Sequence, residues 1–172
     1  MANATAYIGL GANLGNAVQT IRDALDEIDQ RQGVHKCDCS AFFGSAPLDA
    51  PGPHYINAVA RISTTLAPLN LLSALQQIEL GHGRVRGVRN APRTLDLDLL
   101  WYDGITATTP TLILPHPRMI QRAFVLRPLA QLADSRPLQG QSLEALLALC
   151  ADQQCEALTE GWVKSPQRLT AR

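Results

Sequence analysis

No run of the 172-residue chain reaches the roughly 18 apolar residues needed to span a bilayer. The first residues, Met1 to Ala6, carry no basic region and no separate apolar segment, so no secretory leader is expected. Neither sign of charge is in excess: 15 Lys and Arg balance 15 Asp and Glu. That balance argues against a nucleic-acid or membrane-surface protein, whose affinity rests on surplus positive charge. Cysteine is scarce. Cys37, Cys39, Cys150 and Cys155 stand in CxC and CxxxxC spacings that match no common zinc pattern. They read as free thiols of a reducing cytoplasm. Two nucleotide motifs are missing as well. The glycine-rich segment Gly9 to Gly15 (GLGANLG) has Leu14 where a dinucleotide fingerprint needs glycine, and no GK[ST] follows.

What is present is a single-domain length and an ordinary globular composition, 46% hydrophobic and 17% charged. There is no internal repeat. Short apolar runs predict strands over residues 6–12, 34–46, 55–65 and 94–102. Leu14, Val18, Ile21, Leu25 and Ile28 recur at three and four residues and predict a helix over 14–31. Pro68 suits a helix first turn, and the pattern continues to Gly81. Residues 112–114 read as a short return strand, 119–133 as helix interrupted at Pro128, and 142–150 as another helix. The order β-α-β-β-α-β predicts an α+β fold: the split βαβ, ferredoxin-like antiparallel sheet with helices on one face, plus extra C-terminal helices.

The most informative segment is RTLDLDLL, Arg93 to Leu100. In a strand Leu95, Leu97 and Leu99 share one face and Asp96 and Asp98 the other, with α-carbons about 6.6 Å apart. Aspartate is disfavoured in strands, and two on one face repel. A cation removes that penalty; a solvated strand face is the alternative. Immediately upstream, Arg84, Arg86, Arg89 and Arg93 fall within ten residues, in a loop with glycines at 81, 83 and 87. Guanidinium groups beside metal-binding carboxylates are the recurring parts of phosphoryl transfer. His116, held between two prolines, and Arg118 and Arg122 form a third cluster suited to phosphate.

These segments together resemble the 6-hydroxymethyl-7,8-dihydropterin pyrophosphokinase family. The likeness runs from Tyr7 to about Ala133 through AYIGLGANLG, SAPL, YINAV, IELGHGRVR, APRTLDLDLL, LPHPRM and RAFVLRPL, in that order. The resemblance implies one pyrophosphokinase domain over residues 1–172, with 134–172 as a helical extension. It implies magnesium-dependent transfer of pyrophosphate from ATP to the hydroxymethyl group of a reduced pterin, in folate synthesis. Asp96 and Asp98 match the family's ligands for two Mg2+ ions. Arg84 and Arg93 match its catalytic, phosphate-binding arginines, with Arg86 in the same loop. Gln76, Glu79, His116 and Arg122 match ATP-pocket positions. Ser45, Leu48, Tyr55, Asn57 and Phe124 match pterin-pocket positions. The expected partners are these two small molecules, with no nucleic acid or membrane, in a monomer or homodimer.

The chain departs from the family at Asn90-Ala91, where Trp-Gly is common, at Gly87, at Thr111 and at Ser45-Ala46. The departures imply looser ATP binding, and Asn90→Trp is expected to lower the apparent ATP constant. A catalytically weakened pterin- or nucleotide-binding paralogue is the competing reading. An RNA-binding domain shares the element order, but an acidic strand face opposes it. A purely structural metal-binding module leaves the arginine loop unexplained.

Overall fold

A computed structural model describes residues 2–47, 52–83, 94–133 and 137–164. In chain order it places β1 (Ala4–Ala12), α1 (Ala17–Asp29), β2 (Val34–Cys39), β3 (Phe43–Ser45), β4 (Tyr55–Thr64), α2 (Pro68–Gly81) and β5 (Asp96–Tyr102). A small hairpin follows, β6 (Ala107–Thr108) and β7 (Ile113–Leu114). Then come a 3-10 turn over Met119–Gln121, α3 (Ala123–Ala130), α4 (Leu143–Leu149) and β8 (Cys155–Ala157).

The main sheet runs β5-β1-β4-β3-β8, and β2 pairs with β4 beyond β3. All of its neighbouring strands are antiparallel. β2 and β3 are the expected second strand, broken in two. Ser40 causes the break. Its N–H donates to the Val59 carbonyl, and its hydroxyl accepts from the Val59 N–H, both at 3.0 Å.

Both long helices are set by local chemistry. The Asn16 side chain caps α1 by accepting from the Gln19 N–H at 3.1 Å. The stripe Ile21, Ala24, Leu25 and Ile28 is buried. α2 opens on Pro68, whose missing N–H costs nothing in a first turn. Both helices pack on one face of the sheet, against Ile8, Leu10, Ala58, Ala60, Ile62, Leu95, Leu97 and Leu99.

The expectation of helices on one face holds for α1 and α2 only. α3 packs on the opposite face, against Tyr7, Val59 and Leu100. The reason is a bulge. Ile8 pairs with Leu99 but Tyr7 pairs with Trp101, so Leu100 is an extra residue. Leu100 adds an apolar patch to the face that otherwise carries Asp96 and Asp98, and α3 with the 3-10 turn covers it. The region after 133 is less helical than expected. It holds α4 and then β8, which joins the sheet. Pro128 lies inside α3; the break in helicity falls at Arg122, whose backbone is extended.

All four cysteines are free. Burial pushes the Cys37 and Cys39 thiols up to about 12. They are protonated at neutral pH and chemically quiet. No helix among the described residues is long and apolar enough to cross a membrane.

Candidate active site

β1 ends where β4 and β5 begin, so these three strand ends meet at one end of the sheet. On the face away from α1 and α2, Asp96 pairs with Gly11, Gly11 with Asn57, and Asn57 with Phe43. One step further in, Asp98 pairs with Gly9 and Gly9 with Val59. Paired residues share a face, so Gly11 separates Asp96 from Asn57, and Gly9 separates Asp98 from Val59. The result is a trough floored by backbone, with acids on one wall and an amide on the other. Asp96 and Asp98 are half-buried, while Leu95, Leu97 and Leu99 are buried. The expected alternation is therefore present.

Asn57 is 4% exposed, and its Nδ2 donates to the Ser45 hydroxyl at 2.7 Å. That bond orients the amide. A methyl group built on Gly11 would stand 3.3 Å from the Asn57 Oδ1, so the acceptor end faces the trough. Tyr55, opposite Ser45 in the register, is half-buried at the same strand end.

Other expected site residues approach from both faces. Glu79, on α2, is 2% exposed. Its Oε1 accepts from the Leu97 N–H at 2.7 Å, between the two aspartates. A helix side chain thus satisfies the outer edge of the strand that carries both acids. Glu79→Leu leaves that N–H without its acceptor, at a cost of about 1–3 kcal/mol. Glu79→Gln keeps an oxygen there, so thermal melting should separate the two variants. Gln76 lies three residues earlier on α2 and is half-buried.

His116 docks beside β5 through its N–H to the Leu100 carbonyl at 2.7 Å, and its Nδ1 accepts from the Arg118 N–H at 3.2 Å. Burial lowers its pKa, Arg122 and Arg118 lower it further, and Asp96 opposes them. The imidazole is therefore neutral at pH 7, with cations and a site carboxylate around it. The Arg122 guanidinium carbon lies 5.5 Å from the centroid of the Phe124 ring, a cation–π contact. Phe124, in the first turn of α3, is half-buried and packs against the clusters that contain Met119 and Leu126.

The structure thus brings Asp96, Asp98, Asn57, Ser45, Tyr55 and Glu79 to one end of the sheet, with His116 within electrostatic reach of Asp96. Leu48, Arg84, Arg86 and Arg93 lie outside the described residues, as do Gly87, Asn90 and Ala91. In the sequence Arg93 precedes Asp96, the first residue of β5, by three positions. A cavity of about 290 Å³ lies at the far end of the same face, lined by Tyr7, Trp101, Arg61, Asp38 and Met119. None of the expected site residues lines it.

Among the described residues no group of three or more His, Cys, Asp or Glu side chains is placed to hold a metal ion. Two carboxylates suit an ion that takes its remaining ligands from substrate phosphates and water, which is how Mg2+ is commonly held. The donor set fits magnesium in that partial sense.

Two features escaped the reading of the sequence. The Glu79 contact to β5 has no sequence signal beyond a polar residue on a buried helix face. Residues after 134 carry no motif, yet Trp162, Lys164 and β8 make ordered contacts.

A model of the family 7,8-dihydro-6-hydroxymethylpterin-pyrophosphokinase matches residues 7–134. The 2-amino-4-hydroxy-6-hydroxymethyldihydropteridine pyrophosphokinase of Pseudomonas aeruginosa is 45% identical over 154 residues, 88% of this chain and 95% of that protein. A mitochondrial folate synthesis bifunctional protein of Arabidopsis thaliana is 40% identical over 129 residues, 74% of this chain and 23% of the relative. Among solved structures, an HPPK-DHPS protein of Plasmodium falciparum superposes with a TM-score of 0.68 at 13% identity, over 85% of this chain. This chain spans only 45% of that longer one, and the likeness speaks for the fold alone.

Proposed function

The chain belongs to the 7,8-dihydro-6-hydroxymethylpterin-pyrophosphokinase family, and we propose that it transfers pyrophosphate from ATP to 6-hydroxymethyl-7,8-dihydropterin with Mg2+, releasing AMP. The observation that carries this reading is the trough itself: two carboxylates and one oriented amide on opposite walls, with glycine backbone between. A flat heterocycle needs an uncovered floor and an amide partner. A polyphosphate needs the opposite, carboxylate-held metal and arginines.

Asn57 would pair with the pterin edge, positioned by Ser45. Tyr55 and Phe124 would supply aromatic faces, and stacking of this kind is worth about 0.5–1.5 kcal/mol beyond area burial. Leu48 would complete that pocket. Gln76, Glu79, Arg86, His116 and Arg122 would line the ATP side. Neutral His116 would hydrogen-bond a phosphate oxygen without adding charge. Arg84 and Arg93 would stabilise charge on the group in transfer. The substrate hydroxymethyl oxygen forms the new bond to the β-phosphorus, and the bond from that phosphorus to the AMP oxygen breaks. Two Mg2+ ions held by Asp96 and Asp98 would neutralise the phosphate oxygens when bound. The strand order β5-β1-β4-β2/β3 supports reading the sheet as the split βαβ, ferredoxin-like arrangement. We read the chain as one such domain, with the residues after 134 completing it.

The test is an AMP-release assay with purified protein, ATP, Mg2+ and 6-hydroxymethyl-7,8-dihydropterin. AMP and a pterin diphosphate in equal amounts are expected. Pterin and ATP binding without turnover would replace this reading with the weakened paralogue.

A further inference from the structure

The family's model ends at residue 134, yet the outermost strand of the main sheet is Cys155–Ala157. That strand does not pair with a distant edge. It pairs with β3, matching Ser45 with Cys155, Gly44 with Glu156 and Phe43 with Ala157. The Leu158 N–H extends the ladder by donating to the Phe42 carbonyl at 2.8 Å. β3 is three residues long, and Ala46 and Pro47 after it belong to no strand or helix. Without β8 it would be a minimal edge strand, too short to hold a side chain in place by itself.

What β3 must hold is Ser45. The Ser45 hydroxyl is the acceptor that orients Asn57, and both side chains are about 95% buried. Beyond β8 the chain is fastened to α1. The Arg22 Nε donates to the Gly161 carbonyl at 2.9 Å, the Trp162 Nε1 to Asp26 at 2.8 Å, and the Lys164 Nζ to Asp29 at 2.8 Å. Arg22, Asp26 and Asp29 lie at i, i+4 and i+7, one face of the helix. Leu158 and Trp162 also pack on the main core.

We infer that residues 155–164 form a positioning strap: clamped to α1 at one end, it stiffens β3 at the other and so fixes the Ser45–Asn57 pair that recognises the pterin. In the register β3 stands between β8 and Asn57, so the strap's action is indirect. The inference rests on the proposed pterin role of Asn57. It predicts a larger effect on the pterin than on ATP, because β8 pairs with β3, next to the strand that carries Asn57, while β5 lies beyond β1 at the other edge of the sheet.

The experiment compares Glu156→Pro and Trp162→Phe with a core control, Ile28→Val. Glu156 is exposed, so its side chain adds little packing and the proline acts through the backbone, removing a strand N–H and fixing φ. Trp162→Phe keeps a ring and loses the bond to Asp26. Affinities for 6-hydroxymethylpterin and for a non-hydrolysable ATP analogue with Mg2+ are measured by calorimetry, alongside melting temperature. Pterin affinity is expected to fall about tenfold or more in Glu156→Pro, since small misplacements in a site cost that much. It should fall less in Trp162→Phe, with ATP-analogue affinity within twofold in both and neither constant moved by Ile28→Val. Pterin affinity unchanged in both folded variants overturns the inference. So does an equal loss for both ligands, which would mean general loosening. Wild-type protein that binds no pterin overturns the reading of the site, and the inference with it.

Discussion

Replacing Asp96 and Asp98 together with alanine is expected to abolish the proposed AMP release, lowering kcat by about 10³-fold or more, while leaving the protein folded. The magnitude follows from losing charge stabilisation worth several kcal/mol in the transition state, at 1.36 kcal/mol per factor of ten. The fold survives because β5 is held by other groups. Leu95, Leu97 and Leu99 are 0–4% exposed and carry its core contacts. Glu79 still accepts from the Leu97 N–H. The melting temperature should therefore move by only a few degrees. Magnesium titrated into the wild type with an ATP analogue should raise the melting temperature, and the same titration should do little in the double variant. The pair Asp96→Asn, Asp98→Asn keeps the shape and should be nearly as inactive. A folded double variant retaining activity within tenfold of wild type would sink the metal assignment.

Gly11→Val is the second large effect, and its sign on stability differs from its sign on function. Gly11 lies in a regular strand between Asp96 and Asn57, and its backbone is not in the left-handed region. Glycine in a strand interior ordinarily costs about 0.5–1 kcal/mol relative to alanine. A β-branched residue should then be tolerated, or even stabilise, at such a position. Among the described residues the first side-chain carbon would meet only the Asn57 Oδ1, at 3.3 Å. The branched methyls would occupy the trough and press on the amide. Pterin KM should rise about 10²-fold, with the melting temperature unchanged or higher and ATP-analogue affinity little altered. Gly11→Ala should show the same pattern at about tenfold. Gly9 is the internal comparison, because a methyl there would rest 3.4 Å from the Leu100 side chain instead. Full activity in Gly11→Val would mean that the pterin lies elsewhere.

How far the sequence anticipated this architecture depended on whether burial left a periodic trace. Asp96 to Leu99 alternate strictly in composition and in burial, and the pattern breaks only at the bulged Leu100. α2 was legible to the residue because Pro68 and Gly81 bound it. The second strand was not, since its interruption depends on Ser40 bonding Val59, 19 residues away. β8 was invisible: Cys-Glu-Ala has no alternation, and its pairing with β3 spans more than 100 residues. The second face of the sheet was missed because a single bulged residue, Leu100, creates its apolar patch. The site residues were named through motif resemblance. Their arrangement as opposed walls came only from strand register, which no local pattern encodes.

That register has a meaning for assembly as well as for chemistry. Side chains alternate between faces, so a strand threaded one residue out of step turns every one of them over. For β5 the slip would expose three leucines and drive both aspartates among Ile8, Leu10, Ala58 and Ile62. Ionised carboxylates without partners are among the most costly groups to bury. Mis-threaded chains are thus rejected by the acids themselves, before any nucleotide or metal arrives. The two acids proposed to hold the metal would first act as proofreaders of the sheet.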